Sequence, residues 1–407
     1  MNIFTSKPQR WVAGIGLIAF FAALWVTGMA TGGKKGDDFP GQVRLVLPKV
    51  IYAVPGIETN IYFDNVVLVV NPANYIFDVS CDLGFQYDDR WTYTPQAEEV
   101  GDHPIKIEVR NEANAVIARA RSTVRVARPQ AGADRTFTFL AIGDSHLQKD
   151  VYVQHLLDLS KADAHLKVTL IGSRGKGNKP PSDDLRHEGY NGWTAEAFAT
   201  RVRPKPRTGN YVPAETGSPF IYVDRNGQAR LDFEQYSKEF NQGRPIDFVI
   251  IQLGGNDIWN ATDENIDVII DKVFGYYDQL IKMIHDYSKE TKIGVIMLDP
   301  LSRSQHGYRN YRGERKQTRW QYRRDQHRMV ERQIEKYGGR EEENIYLVPV
   351  HLNLDCVHGF PMQTYPRNAR MPVEEQRVSD GAHLSPEGYR QFGDSIYAWL
   401  KVTLSGD

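Results

Sequence analysis

Short apolar segments alternate with helical patterns along the C-terminal two thirds of the chain. The segments are TFTFLAI (136–142), LKVTLIG (166–172), DFVIIQL (247–253), KIGVIMLD (292–299) and IYLVPV (345–350). The helical patterns cover about 150–161, 264–288, 313–337 and 386–402. Strands that are apolar throughout and alternate with helices form a parallel sheet that helices cover on both faces. The sequence therefore predicts an α/β domain over residues 136–403.

Polar residues follow these predicted strands at the places where such sheets carry their sites, beyond the carboxyl ends. Ser145 follows the first strand in LAIGDSH, and Asn256 follows the third in GGND. Asp380 and His383 precede the last helix in DGAH. Their spacing lets the carboxylate hold the Nδ1–H of the imidazole and leaves Nε2 free as a base. A serine hydroxyl becomes a nucleophile when such a base removes its proton.

Each of these short patterns also has an ordinary structural interpretation. Gly-Asp-Ser is common turn chemistry, because glycine supplies unusual dihedrals and Asp and Ser bond to nearby backbone. An Asp-x-x-His pair at a helix entrance is often a cap and a surface histidine. The residues alone therefore leave both interpretations open.

A region with a different pattern precedes the α/β domain. Residues 43–127 contain short runs rich in β-branched and aromatic residues, separated by Pro, Gly, Asn and Asp. This spacing predicts a small antiparallel all-β sandwich, joined by linkers at 33–42 and 128–135. It shows no catalytic cluster, so we expect it to support or extend the α/β domain, with sugar binding as a second interpretation.

The N-terminus carries an apolar segment. Lys7 and Arg10 precede twenty uncharged residues, Trp11 to Ala30. About twenty such residues suffice to span a bilayer, whereas a signal peptide usually has a shorter apolar region. Residues 1–32 are therefore predicted to be a signal peptide or an N-terminal membrane anchor. Both interpretations predict export, to the periplasm, the extracellular space or an anchored position facing away from the cytosol.

Charge and cysteine content exclude several classes of protein. A net charge of -1 gives no bulk attraction to nucleic acid, and membrane contact is expected only through the N-terminal segment. Cys81 and Cys356 are the only cysteines, which excludes a disulfide-rich scaffold and a cysteine zinc cluster. Cys81 shares the alternating face of Phe77 and Val79, which favours a buried free thiol, although a bridge between the two cysteines stays open.

Taken in order, the blocks GDS, GYNGWT, GGND and DGAH resemble the motifs of the SGNH (GDSL-type) hydrolase family. The resemblance covers about residues 136–402. It implies a flavodoxin-like three-layer α/β/α fold, preceded here by the β-sandwich. It also implies a carboxylic ester hydrolase that uses no metal or other cofactor.

The resemblance also implies roles for particular residues. Ser145 would be the nucleophile, His383 the base and Asp380 the residue that orients the base. The oxyanion hole would consist of the Ser145 N–H, the Gly192 N–H and the Asn256 side-chain amide. Fixed donors of this kind lower the barrier of acyl transfer by roughly 3 to 4 kcal/mol each.

One residue departs from the family pattern. His146 follows the serine, where the family usually has an aliphatic residue. Asp144 and His146 therefore also resemble the D-x-H metal pair of calcineurin-like metallophosphoesterases. That alternative lacks further ligands, because GGND has no histidine between Asn256 and Asp257 and no G-D-x-x-D follows the second strand.

The HEGYNGWT block looks more like carbohydrate-active bacterial members of the family than like lipolytic ones. Together with export and abundant aromatic residues, it predicts an exported serine esterase that removes O-acetyl groups from carbohydrate. Trp193 and Trp320 are candidates for contact with the sugar. The alternatives are a lipolytic or general carboxylesterase, a sugar O-acyltransferase and a non-catalytic glycan-binding protein.

The stretch from Arg303 to Arg332 is strongly basic, with ten Arg and Lys residues against three acidic ones. Trp320, His327, Val330, Ile334 and Tyr337 recur within and just after it at helical spacing and predict a shared face. The favoured interpretation is a core face with solvated arginines. The alternative is a helix that borders the cleft and attracts an acidic substrate.

Overall fold

The computed structural model describes residues 43–132, 134–203, 217–312 and 317–406. The predicted signal peptide or anchor (1–32) and the linker after it (33–42) lie outside these residues. Within the described ranges, no helix combines the length and the apolar composition needed to cross a membrane.

Residues 43–127 form a β-rich region around its own apolar core. Its elements are β1 (Arg44–Leu45), β2 (Val50–Ala53), β3 (Thr59–Tyr62), α1 (Phe63–Val66), β4 (Val67–Leu68), β5 (Ile76–Ser80), β6 (Phe85–Gln86), β7 (Arg90–Tyr93), β8 (Gly101–Arg110) and β9 (Val116–Val126). The sheets have the orders β2-β9-β8-β5, β3-β7-β6 and β1-β4. Every second side chain of β8 points into this core, as the period of a strand requires: Ile105, Ile107 and Val109.

The predicted antiparallel pairing holds for most of this region but is wrong for one strand. Strands β8 and β9 pair antiparallel over nearly their whole length, and β5 pairs antiparallel with β8. Strand β2 instead runs parallel to β9. A parallel pair needs a long connection, which the chain between β2 and β9 provides.

The remainder of the chain contains the α/β elements. They are β10 (Arg135–Gly143), α2 (Ser145–Gln148), α3 (Val151–Ala162), β11 (Leu166–Ile171), β12 (Glu188–Gly189), α4 (Ala195–Thr200), β13 (Ile221–Val223), β14 (Ala229–Leu231), α5 (Phe233–Phe240), β15 (Phe248–Gln252), α6 (Ile266–Tyr287), β16 (Lys292–Ile296), α7 (Gln305–Arg312), α8 (Arg319–Tyr337), β17 (Ile345–Val348), β18 (Met362–Asn368), β19 (Met371–Val378) and α9 (Pro386–Leu404).

A parallel sheet of order β11-β10-β15-β16-β17 organises these elements, with β12 pairing the end of β10. The first strand lies between the second and the third, which is the flavodoxin-like order. The order in which successive strands are added to the sheet therefore reverses between β10 and β15, and such sheets carry their sites at the carboxyl ends of these two strands. Ser145 and Asn256 follow these two strands.

Helices cover both faces of this sheet. Phe139 and Phe248 pack in one apolar cluster with α3 and α9, where Trp399 is fully buried. Leu140 and Val249, one residue further along their strands, pack in a second cluster with α6 and α8. The predicted three-layer α/β/α fold with a β-rich region before it is therefore confirmed.

Two features of the α/β part differ from the predicted elements. The helix predicted at 313–337 begins at Arg319, and a separate helix, α7, precedes it. The β18–β19 hairpin was not predicted. Nearly all of its residues are exposed or half-buried, so its sequence carries no alternation between apolar and polar residues.

Buried hydrogen bonds join the β-rich region to the loop after β17. The Asn65 side chain donates to the carbonyl oxygens of His351 and Leu354, at 2.7 Å each. It accepts from the Cys356 thiol at 3.0 Å, and both cysteines are free. Cys81 is therefore a free thiol, as the favoured interpretation has it, but it is half-buried and not buried.

The predicted linker at 128–135 packs on the last helix. Lys401 donates to the carbonyl oxygens of Pro129 and Ala131 and pairs with Asp163. The described residues, from Val43 onward, belong to a single compact unit. The domain boundaries drawn from the sequence therefore stay predictions.

Removing the Asn65 side chain should destabilise the protein. Asn65→Ala leaves two buried carbonyl oxygens without donors, which should lower the free energy of unfolding by about 2 to 4 kcal/mol. Urea unfolding measures the change. Asn226→Ala, at an exposed position, is the matched control and should have little effect. A loss in Asn65→Ala no larger than in the control would contradict the account.

Candidate active site

The turn after β10 presents Ser145. Asp144 caps the short helix α2 by accepting the His146 N–H at 3.0 Å. A Cβ at Gly143 would lie 2.9 Å from the Leu147 Cβ and 2.7 Å from the Gln252 side-chain oxygen, so this tight position favours glycine. This tight packing at the end of β10 fixes the position of the turn that presents Ser145.

Ser145, His383 and Asp380 form a hydrogen-bonded chain. The His383 Nε2 lies 3.0 Å from the Ser145 Oγ, and the His383 Nδ1 lies 2.9 Å from the Asp380 Oδ2. The other Asp380 oxygen accepts the N–H groups of Ala382 and His383. Burial raises the pKa of Asp380, but the hydrogen bonds from His383 and the backbone outweigh it and lower the pKa to about 2. Asp380 is therefore a carboxylate at neutral pH.

Close backbone packing positions the loop that carries Asp380 and His383. The Ser302 N–H donates to the Gly381 carbonyl oxygen at 2.9 Å. A Cβ on Gly381 would lie 2.4 Å from the Gly307 backbone, so α7 packs directly against this loop. Ser385 then caps α9, with Pro386 in its first turn.

A buried glutamate positions the loop that carries Gly192. Glu188 accepts hydrogen bonds from the Ser173 N–H, the Ser173 hydroxyl and the hydroxyls of Tyr190 and Tyr236. The Tyr190 N–H donates to the Gly143 carbonyl oxygen, next to the serine turn. Gly192 has a φ of 72°, a conformation that favours glycine. Its N–H has no acceptor within the described part of the chain.

Asn256 is held more tightly than the sequence indicates. Its side-chain nitrogen lies 3.1 Å from the Asp144 Oδ2 and 3.1 Å from the Trp193 carbonyl oxygen. These acceptors use both amide hydrogens. The Asn256 amide can therefore donate to a substrate oxygen only if it breaks one of these two hydrogen bonds, or if one amide hydrogen is shared between two acceptors.

Ser145, His383 and Asn256 border a small cavity of about 20 Å³. Sequence reasoning missed other residues that line it, namely Gln252, Trp259, Leu298, Asp299, Leu301 and Tyr322. Gln252 ends β15 and Asp299 follows β16, so the rule on carboxyl ends points to both. No comparable pattern marks Trp259 or Tyr322.

His146 also borders this cavity. Its Nδ1 lies 3.6 Å from the Asp299 Oδ2, and its ring centroid lies 5.6 Å from that of His383. The 3.6 Å separation is too long for a hydrogen bond. In the described ranges, no group of three His, Cys, Asp or Glu side chains has the arrangement of a metal site.

Neither of the two candidate tryptophans lines the cavity. Trp193 is 4% exposed and stacks on Tyr190 in the apolar core, so its ring offers no face to a sugar. The interpretation of Trp193 as a substrate contact is therefore wrong. Trp320 is half-buried in the first turn of α8 and is not among the residues that line the cavity.

The basic stretch from Arg303 to Arg332 has features of both predicted interpretations, the core face and the helix that borders the cleft. His327, Val330 and Tyr337 are buried, as a core face requires. Arg324, Arg328 and Arg332 pair with acidic residues of α6 and the loop before it. On the same helix Tyr322 lines the cavity, so α8 also borders the candidate site.

Asp257 should make the stability of the protein fall as the pH rises. Its carboxyl group accepts the Ala195 N–H at the start of α4, and burial raises its pKa to about 7. The folded state therefore holds this proton more tightly than the unfolded chain. The resulting stabilisation is complete below the unfolded pKa of about 4 and is lost as the pH rises through about 7.

Asp257→Asn should remove this part of the pH dependence, because the amide stays neutral and keeps an oxygen for the Ala195 N–H. Urea unfolding of both proteins at about pH 5 and about pH 8 measures the difference. Asp88→Asn, at an exposed position, is the control. Equal pH dependence in Asp257→Asn and the wild type would contradict the assignment.

Several solved structures are distantly similar to the chain. A carbohydrate esterase family 3 protein from Talaromyces cellulolyticus has 16% identity and a TM-score of 0.37, over 67% of this chain and 99% of its own. A carbohydrate acetylesterase family member from Sinorhizobium meliloti has 13% identity and a TM-score of 0.36, over 66% and 99%. Acetyl xylan esterase AlAXEase has 11% identity and a TM-score of 0.32, over 65% and 99%. Likenesses this distant carry no argument about the substrate.

The family model of the GDSL-like lipase/acylhydrolase family matches residues 173–391, more than half of the chain. The match contains Gly192, Asn256, Asp380 and His383 and begins after Ser145. No curated protein sequence matches the chain. The match covers three of the four sequence blocks and confirms the resemblance: the chain belongs to the GDSL-like lipase/acylhydrolase family and is a carboxylic ester hydrolase.

Proposed function

We propose that the protein is an exported serine esterase that removes O-acetyl groups from carbohydrate through a Ser-His-Asp acyl-enzyme mechanism. One observation carries the proposal. His383 is hydrogen-bonded through one ring nitrogen to the Ser145 hydroxyl and through the other to the Asp380 carboxylate, beside a cavity of about 20 Å³.

The chain of hydrogen bonds supports a two-step reaction. His383 Nε2 takes the hydroxyl proton as the Ser145 Oγ attacks the ester carbonyl carbon. The sugar hydroxyl then leaves with that proton, and the acetyl group stays on Ser145. Water next attacks the acetyl-enzyme, with His383 again as base, and releases acetate. Asp380 stabilises the imidazolium that forms in both steps.

The carbonyl oxygen becomes negatively charged in each step and needs donors. The N–H groups of Ser145 and Gly192 suit this role, because neither has an acceptor within the described residues. Asn256 would contribute by turning one amide hydrogen from Asp144 or the Trp193 carbonyl toward the substrate. The other of these two acceptors would then hold the amide in place through the remaining bond.

The small cavity supports acetyl as the acyl group. Leu298, Leu301, Trp259 and Tyr322 line it beside the serine. A space of about 20 Å³ is comparable to the volume that one water requires. A fatty acyl chain would require these side chains to move, so the cavity does not favour the lipolytic alternative.

Other observations support a carbohydrate substrate and export of the protein. The half-buried Trp259 packs edge to face with Tyr322 at 5.4 Å, and aromatic side chains of this kind pack well against sugar rings. The sequence block around Gly192 resembles carbohydrate-active members of the family. Export rests on the apolar segment from Trp11 to Ala30, which lies outside the described residues.

The acyl group can be tested with aryl esters of increasing chain length and with acetylated xylan. We expect the full chain to release acetate from xylan. We also expect kcat/KM to fall at least about tenfold from aryl acetate to aryl butyrate, because the cavity lacks room for two more methylenes. Equal values for the acetate and butyrate esters would contradict the acetyl assignment.

Ser145→Ala tests the nucleophile in the same assays. It should abolish hydrolysis of every ester without loss of folding, because no other group carries the acyl intermediate. Ser80→Ala, at an exposed position of β5, is the matched control and should keep full activity. An active Ser145→Ala variant would contradict the mechanism.

A further inference from the structure

Asp299 is a buried carboxylate at the catalytic cavity to which the proposed reaction gives no role. It follows β16, is 4% exposed, and lines the cavity together with Ser145 and His383. Within the described part of the chain, its oxygens accept no hydrogen bond and form no ion pair with a lysine or an arginine. The His146 Nδ1 lies 3.6 Å from its Oδ2, which is too long for a hydrogen bond. Asp299 therefore lacks the donors that a buried carboxylate normally has.

The Asp299 carboxylate can be reached from the cavity. The His146 Nδ1 and the Tyr389 hydroxyl are sealed from solvent without a hydrogen bond, whereas neither oxygen of Asp299 is. The surface that the carboxylate retains therefore belongs to the cavity that it lines. Because a buried acceptor without a donor is costly, this position favours a group that enters the cavity and donates a hydrogen bond.

The size of the cavity indicates water as this group. Its volume of about 20 Å³ is comparable to what one water requires, and a sugar ring is far larger. A buried water typically makes about three hydrogen bonds, and in so small a space it lies close to the groups that line it. Asp144, the other acid at the cavity, already accepts the His146 N–H and the Asn256 amide. Asp299 and the His383 Nε2 remain as acceptors for the water.

The second step of the proposed reaction needs a water in a fixed orientation. The His383 Nε2 takes one proton from this water as the water oxygen bonds to the acetyl carbon. The bond from that carbon to the Ser145 Oγ then breaks, and Oγ takes the proton from His383. Acetic acid leaves and ionises. The second hydrogen of the water stays on the attacking oxygen throughout and needs an acceptor other than His383.

We propose that Asp299 accepts this second hydrogen and thereby orients the water that hydrolyses the acetyl-enzyme. This inference rests on the proposed function. An ionised carboxylate suits the position, because it only accepts hydrogen bonds and a charged acceptor forms stronger ones. Attack by Ser145 on the ester does not involve this water. Asp299 should therefore act on deacylation and not on acylation.

Stopped-flow kinetics of the full chain with an aryl acetate separates the two steps, because acylation releases the aryl alcohol and deacylation releases acetate. Asp299→Leu replaces the carboxylate by an apolar group of similar size. We expect it to slow deacylation at least about tenfold and to leave the rate of acylation unchanged. A burst of aryl alcohol should then precede a slow steady rate, and mass spectrometry should find the acetyl group accumulated on Ser145. Asp88→Leu, at an exposed position, is the matched control and should react like the wild type.

Asp299→Asn gives a second measurement of the same role. It keeps the shape of the side chain and one oxygen as acceptor, so it should slow deacylation less than Asp299→Leu does and also leave acylation unchanged. A merely structural role would not separate the two steps. If Asp299→Leu fails a thermal-unfolding check, Asp299→Asn carries the test with the same expected split.

Two results would overturn the role of Asp299. The first is deacylation at the wild-type rate, or an equal loss in both steps, in every folded variant. The second is a higher KM for acetylated xylan with unchanged kinetics on aryl acetate, which would assign Asp299 to a sugar hydroxyl.

The role of Asp299 and the proposed reaction fail in different ways. A wild type that forms the acetyl-enzyme on Ser145, together with Asp299 variants that deacylate at its rate, overturns only the role of Asp299. A wild type that releases acetate from no ester and carries no acetyl group on Ser145 contradicts the reaction and the role of Asp299 together.

Discussion

The buried carboxylate of Asp144 joins the two strand ends on which the candidate site depends. It accepts the His146 N–H, which fixes the turn that presents Ser145, and it accepts an amide hydrogen of Asn256 from the loop after β15. Glu188 and Asp257 likewise accept backbone N–H groups of neighbouring segments, Glu188 that of Ser173 and Asp257 that of Ala195. Burial raises the pKa of both Asp144 and Asp257. The site is therefore built on desolvated acids, and their hydrogen bonds compensate part of the cost of burial.

Much of the fold and the order of the site residues could be predicted from the sequence. Strands buried on both faces must be apolar throughout, and this leaves a pattern in the chain. Because the carboxyl ends of parallel strands meet at one edge, the loops with Ser145 and Asn256 had to lie close together. Asp380 and His383 are three residues apart, so their hydrogen bond depends only on local geometry.

The environment of individual side chains could not be predicted in the same way. Trp193 and Tyr322 are both aromatic and near polar residues, yet the first is in the core and the second lines the cavity. Their positions depend on contacts between distant segments, which no local period encodes. Arg323 illustrates this best, because its partner Asp64 belongs to the β-rich region. That ion pair also joins the β-rich region to α8.

Covalent labelling of the full chain by a fluorophosphonate, followed by mass spectrometry of its peptides, tests the nucleophile most directly. Such a probe reacts with a serine that a base has activated. The account predicts an adduct on Ser145, and much slower labelling in His383→Ala, since the base is then absent. An adduct on another residue, or a chain that hydrolyses esters while Ser145 stays unlabelled, would contradict it.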